Sequence, residues 1–234
     1  MSFDDRAYPS DRTSTPASDV GEAAQKVLRN TYLLLGLSML PTVAGALVGM
    51  LTGFNLFTFG VLIGFLLYLG IAFGLMFAVS KTKDSGLGVV FLLAFTFFMG
   101  LMLTGILSAA LSFSNGGSLI ALAAGGTGVI FFALSGIAAT TKRNFSNIGK
   151  FLFVGLTVVI VLVIANLFLH LPALSLVISG AALLVFSGYI LYDVNRIVHG
   201  GETNYIMATL AIYLDIYNIF VSLLRLLMAF AGDD

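Results

Sequence analysis

Seven apolar stretches, each about 20 residues or longer, are separated only by short polar breaks and dominate this sequence. They fall near 30–51, 56–80, 87–111, 118–140, 148–170, 173–192 and 205–230. A hydrocarbon core about 30 Å thick is crossed by roughly 20 apolar residues wound as a helix. Each of the seven runs meets that length. Composition agrees: 59% of the chain is hydrophobic and only 9% charged, whereas a soluble domain carries about 25% charged residues. A water-facing fold of this size would lack the polar side chains to cover its surface. Lipid removes that requirement. The expected fold is therefore an all-α membrane protein with seven transmembrane helices over 26–234, with the lipid bilayer as its solvent.

Residues 1–25 differ in kind. Asp4, Asp5, Arg6, Asp11, Arg12, Asp19 and Glu22 are mixed with Pro9, Pro16 and several Ser and Thr. This composition has no helical or strand period and reads as a flexible tail. A secretory signal peptide would need a shorter polar start and an apolar core of about 7–15 residues. Here the polar part is longer, and the apolar run behind it is long enough to span.

The separators are turn-like: Thr52-Gly53-Phe54-Asn55, Lys83-Asp84-Ser85-Gly86, Ser114-Asn115-Gly116-Gly117 and Arg143-Asn144-Phe145-Ser146-Asn147. Their shortness makes successive helices antiparallel. Leu171-Pro172 divides the fifth run from the sixth, because proline disfavours helix at the residue before it. With seven spans, Arg6, Arg12, Lys26, Arg29, Lys81, Lys83, Lys142, Arg143, Lys150 and Arg196 all fall on one side. Basic residues stay on the cytoplasmic side. The N-terminus is expected in the cytoplasm and Asp233-Asp234 outside. Losing one span would scramble this pattern, so the charge asymmetry supports the span count independently.

Small-xxx-small pairs at Gly45/Gly49, Gly60/Gly64 and Gly70/Gly74 are expected to let helix backbones approach closely. Gly125-Gly126-Thr127-Gly128 lies in an apolar run and reads as packing too. Phe95, Phe97 and Phe98 read as lipid-facing or core bulk. Asn144-Phe145-Ser146 matches a glycosylation sequon, but its loop is expected in the cytoplasm.

Ionisable groups inside a membrane are costly and usually face the bundle interior. The first five spans carry none away from their ends. The last hairpin carries several. Asp193 closes the sixth run on the cytoplasmic side. Asp215 lies ten residues into the seventh, about 15 Å deep and near the midplane. Asn218, Ser222 and Arg225 follow at spacings of 3, 7 and 10, which puts all four on one helix face. A polar stripe of this kind is best shielded if the last helix is central and surrounded by the other six.

Two readings of the stripe stand at this point. In one it is a packing device, with Asp215 paired to Arg225 or hydrogen-bonded to neighbouring helices. In the other, Asp193 and Asp215 form a proton- or cation-sensing pair. Two carboxylates in low dielectric resist double ionisation and would share a proton. A hard cation such as Ca²⁺ would displace it. Arg196, His199 and Glu202 read as solvated loop charges, and His170 as interfacial. There is no cysteine, and no Ser/His/Asp arrangement, phosphate-cradling loop or metal-spaced cluster appears in the sequence. No catalysis, resident cofactor or nucleic-acid partner is expected. Intramembrane peptide cleavage by the two aspartates has no further support in the sequence.

The last hairpin also carries a family likeness. Tyr192-Asp193, the run from His199 to Ile206 (HGGETNYI) and the run from Tyr213 to Leu224 (YLDIYNIFVSLL) resemble the C-terminal signature of the Bax inhibitor-1 family. Lys26 to Tyr32 (KVLRNTY) and Ala165 to Leu174 (ANLFLHLPAL) resemble its bacterial YccA-type branch. The likeness runs from about residue 26 to 230. It implies seven helices with the last one central. It also implies a multipass bacterial inner-membrane protein that binds and modulates the membrane-bound, ATP-dependent FtsH protease, with the tail as the protease's grip. Twenty-five extended residues reach about 80 Å. A second implication is a pH-sensitive Ca²⁺ leak gated by an aspartate pair, whose positions Asp193 and Asp215 match. Ca²⁺ or protons would then be the permeant or bound ions. Leak-type members can carry a basic latch in the second helix. Residues 56–80 contain no Lys or Arg, so Arg196 or Arg225 would supply the counter-charge.

Overall fold

The computed structural model describes residues 17–232 apart from 142 and 146. Seven helices follow in chain order: α1 (Ala17–Thr52), α2 (Val61–Thr82), α3 (Gly86–Leu111), α4 (Gly116–Thr140), α5 (Ile148–Leu169), α6 (Pro172–Val198) and α7 (Tyr205–Ala231). All seven are long and apolar enough to cross a membrane. The seven-span, all-helical expectation is met.

Three boundaries move. The expected tail at 1–25 gives way to helix at Ala17, and its first sixteen residues lie outside the described residues. Alanines and early acidic residues suit a helix N-terminus, so α1 begins before its apolar part. The second run does not start at 56. Leu56–Phe59 form a single 3₁₀ turn, and Asn55 caps it by accepting from Phe57 N–H at 2.8 Å. Gly60, at φ 98°, then redirects the chain into α2. The sixth helix runs on to Val198, beyond the expected end at 192. That extension carries Asp193 into the body of the helix.

Helix α7 forms the axis. It packs against α6, α4, α1, α3 and α2. Contrary to the expected shell of six, α5 does not touch it; among the helices α5 packs only on α6. The sequence of α5 explains this position. It is the most apolar of the seven spans and needs no shield from lipid. Gly149 lies under the Tyr192 ring and Gly188 under Leu152, which draws α5 close to α6.

The most extensive helix pair is α1 with α3. Gly45 lies against the Phe97 carbonyl, Gly49 against the Thr104 hydroxyl and Gly100 against the Thr42 carbonyl. A Cβ at any of them would collide with the partner helix. Gly45/Gly49 thus behaves as expected. Gly64 instead meets Leu56 and Phe57 of the 3₁₀ turn, and Gly70 and Gly74 face open space. Gly125 and Gly128 face open space too, leaving only Gly126 near a neighbour, Leu223. Phe95 and Phe98 are core, with Phe95 edge-on to Tyr213 at 6.1 Å.

Candidate functional site

The site lies where the extended α6 meets α7. Asp215 is 4% exposed, ten residues into α7. Asp193 is five residues short of the α6 end, and its carboxyl is within hydrogen-bonding reach of Asp215. The two run on antiparallel helices, so the sixth helix must continue past residue 192 for them to meet. Tyr189, one turn earlier on α6, stands close to both carboxyls. No conventional donor among the described residues reaches Asp215 Oδ2. A single proton between the two acids would satisfy both, whereas two bare carboxylates would repel.

The rest of the stripe divides. Ser222 is buried. Asn218 is half-buried and donates to Leu214 O at 2.8 Å on its own helix. Arg225 is exposed and makes no salt bridge to Asp215, against the expected pairing. Helical geometry accounts for the split. At about 100° per residue, Ser222 sits roughly 20° from Asp215, while Asn218 and Arg225 sit roughly 60° and 80° round. The last two reach the rim of the buried face. A long basic side chain there can extend towards headgroups.

Arg196 is also committed elsewhere. It bonds Glu202 at 3.1 Å and Gly201 O at 3.1 Å, with side chains 44% and 22% exposed. It stands near Asp193 but makes no salt bridge to it. Neither expected counter-charge is paired with the aspartates. His199 is exposed, and its Nδ1 lies 2.9 Å from Asn195 O. His170 closes α5 in the left-handed conformation at φ 51°. Among the described residues no cluster of three or more His, Cys, Asp or Glu could hold a metal. A hard cation takes about 6–8 oxygens, so the aspartate pair could supply only part of such a shell.

Two asparagines that sequence reasoning missed organise the basic face. Asn195, on α6, is 1% exposed. Its Oδ1 accepts from Phe145 N–H at 2.8 Å, and its Nδ2 donates to Arg143 O at 3.0 Å and Ala138 O at 3.5 Å. Asn204 caps α7 by accepting from Ile206 and Met207 N–H. It also donates to Lys83 O at 3.0 Å and Asp84 Oδ1 at 2.9 Å. Together they tie the α2–α3 and α4–α5 loops to the last hairpin. Deeper in the bundle the Tyr213 hydroxyl meets Thr42 Oγ1 at 2.8 Å and Thr96 O at 3.4 Å, which joins α7 to α1 and α3. Sequence offered one signal: an Asn before the seventh run, at an N-cap position. Asn195 had none, and Tyr213 stood only in the family-like run from Tyr213 to Leu224 with no sign of its bonds, because their partners lie 50 or more residues away.

Residues 24–232 match the family model described as inhibitor of apoptosis-promoting Bax1. The chain belongs to the Bax inhibitor-1 family. Within it, this Bax inhibitor-1 protein is 43% identical over 215 residues to the modulator of FtsH protease YccA of Escherichia coli K12, covering 91% of this chain and 93% of the relative. The inner membrane protein YccA of Escherichia coli O6:H1 matches at the same identity and coverage. An uncharacterized membrane protein of Vibrio cholerae is 40% identical over 209 residues, 89% of this chain and 92% of its own. The likeness of the last hairpin and of the two upstream runs to this family was therefore a sound guide.

Proposed function

We propose that this Bax inhibitor-1 protein is a multipass protein of a bacterial inner membrane that binds and modulates an FtsH-type protease, with no catalysis of its own. The observation that carries the reading is the 43% identity, over nine-tenths of both chains, to a relative named as modulator of that protease. The basic face supports it. Asn195 and Asn204 knit the loops on that side to one hairpin, and a preorganised surface lowers the ordering cost of binding. The clustering of basic residues on one side supports a cytoplasmic position for this face and the N-terminus. Tagged protein expressed in Escherichia coli should co-purify with FtsH and slow the turnover of an FtsH membrane substrate. Removing residues 2–16, which leaves α1 whole, should stop FtsH from degrading the chain without affecting insertion. Absence of co-purification, together with unaltered substrate turnover, would refute the proposal.

The meeting of Asp193 and Asp215 favours a second reading, compatible with the first. The pair would act as a proton-responsive latch between α6 and α7, releasing a cation leak when it opens. Ca²⁺ entry into proteoliposomes should then vary with pH, and Asp215→Asn should remove that variation. Flux that is absent, or indifferent to both Asp193→Asn and Asp215→Asn, would dispose of it.

A further inference from the structure

A second feature lies away from the aspartates. Helices α1 and α4 both pack on α7, yet their backbones do not meet. The space between them is a cavity of about 620 Å³, floored by α7 and α3. Its walls run along α1 from Tyr32 to Met50 and along α4 from Ile120 to Phe132. Eighteen residues of helix rise about 27 Å, nearly the thickness of the hydrocarbon core. The slot is therefore long, and it opens sideways where Val43, Leu47 and Phe132 on its rim are exposed. A helix with its side chains is about 10–12 Å across, so one of that length fills roughly 2,000–3,000 Å³, several times the volume of the slot. One hydrocarbon chain, with neighbours at carbon contact distance of about 4 Å, does fit.

The chemistry of the walls agrees. They are almost wholly aliphatic and aromatic, and the Thr127 and Thr42 hydroxyls that reach them are already bonded to carbonyls of their own helices, Ala123 O and Ser38 O. A polar ligand would find no free charged group. Two glycines face each other across the slot, Gly36 on α1 and Gly128 on α4, and a Cβ at either would meet nothing within 4 Å. At the basic-side end the Tyr32 and Phe131 rings bridge α1 and α4 edge-on at 5.8 Å. That pair limits how far a chain can advance towards the cytoplasm.

We propose that the slot between α1 and α4 is a binding site for one acyl chain of a membrane phospholipid, held apart from the lipid that merely coats the bundle. The probe is a phosphatidylethanolamine carrying a diazirine midway along one acyl chain, mixed into vesicles of unlabelled phosphatidylethanolamine and phosphatidylglycerol that hold the full-length protein. After illumination, adducts should concentrate on slot residues such as Ile216 and Phe220 of α7. Gly36→Phe and Gly128→Phe fill the slot from opposite walls and should each cut those adducts at least tenfold. Gly125→Phe, whose Cβ also meets open space but outside the slot, should leave them unchanged. Thermal unfolding of each variant reports whether the fold is intact. Free diazirine palmitate, used in a separate arm, should label the slot less than the phospholipid does. Adducts spread evenly over all lipid-facing helices, adducts insensitive to both filling variants, or stronger labelling by the free acid would each overturn the proposal.

Discussion

Replacing Asn195 with alanine tests whether the basic face is held by one side chain. The amide makes two well-formed hydrogen bonds, to Phe145 N–H at 2.8 Å and Arg143 O at 3.0 Å, and a third at the 3.5 Å limit to Ala138 O. Asn195 is 1% exposed, but Arg143 reaches the surface, so water can partly replace the lost partner. Each good bond then contributes about 1 kcal/mol, and Asn195→Ala should lose about 2 kcal/mol. Asn195→Asp should be worse. It keeps the acceptor for Phe145 but sets a charged oxygen against two carbonyl oxygens, an unpaired buried charge worth about 3–5 kcal/mol. For a chain of this length each kcal/mol moves the midpoint by about 2–4 °C on the scale of soluble domains. The expected shifts are about 4–8 °C for alanine and about 6–20 °C for aspartate. Gel filtration after heating in mild detergent reads the midpoints, and hydrogen exchange over 141–147 should quicken in both variants. An alanine variant within about 1 °C of the parent, or an aspartate variant more stable than the alanine one, would rule out this role for Asn195.

Further outcomes separate the roles of the remaining features. Gly45→Leu, which drives a side chain into the Phe97 carbonyl, should destabilise by about 1–3 kcal/mol or more, while Gly74→Leu, facing open space, should change stability by under about 0.5 kcal/mol; the same heating assay decides, and equal effects would contradict the α1–α3 crossing. Tyr213→Phe should lose about 0.6 kcal/mol and no more than about 1.7, because Thr42 Oγ1 keeps its bond to Ser38 O at 2.9 Å. A larger loss would mean that the hydroxyl has a further role. The chain has no cysteine, so single cysteines report orientation cleanly: an impermeant maleimide added to intact cells should label Ser114→Cys and not Ser85→Cys. The reverse pattern would invert the topology.

Much of the candidate site could be anticipated from spacing, and the parts that could not share a cause. Asp215 is placed ten residues into an apolar run, and only a central position makes it tolerable; α7 is the axis of the bundle. Ser222 follows from the same period. Arg225 breaks the expectation because a period assigns a face without its width, and at about 80° from Asp215 the face has ended. Gly70/Gly74 matches the motif of Gly45/Gly49 but faces open space. A spacing rule cannot say whether a partner helix is present.

Sequence alone determined the number of crossings, their all-helical nature and the asymmetry of basic loops. Each follows from a local requirement: backbone bonds must close within one span, and charge stays out of hydrocarbon. Tertiary structure decided what depends on which helices are neighbours. It set α5 outside the shell, brought Asp193 to Asp215 along an α6 longer than its apolar run, turned Arg196 to Glu202, and opened the slot between α1 and α4. Those outcomes depend on the relative placement of helices far apart in the chain, which the hydropathy of any one segment does not encode.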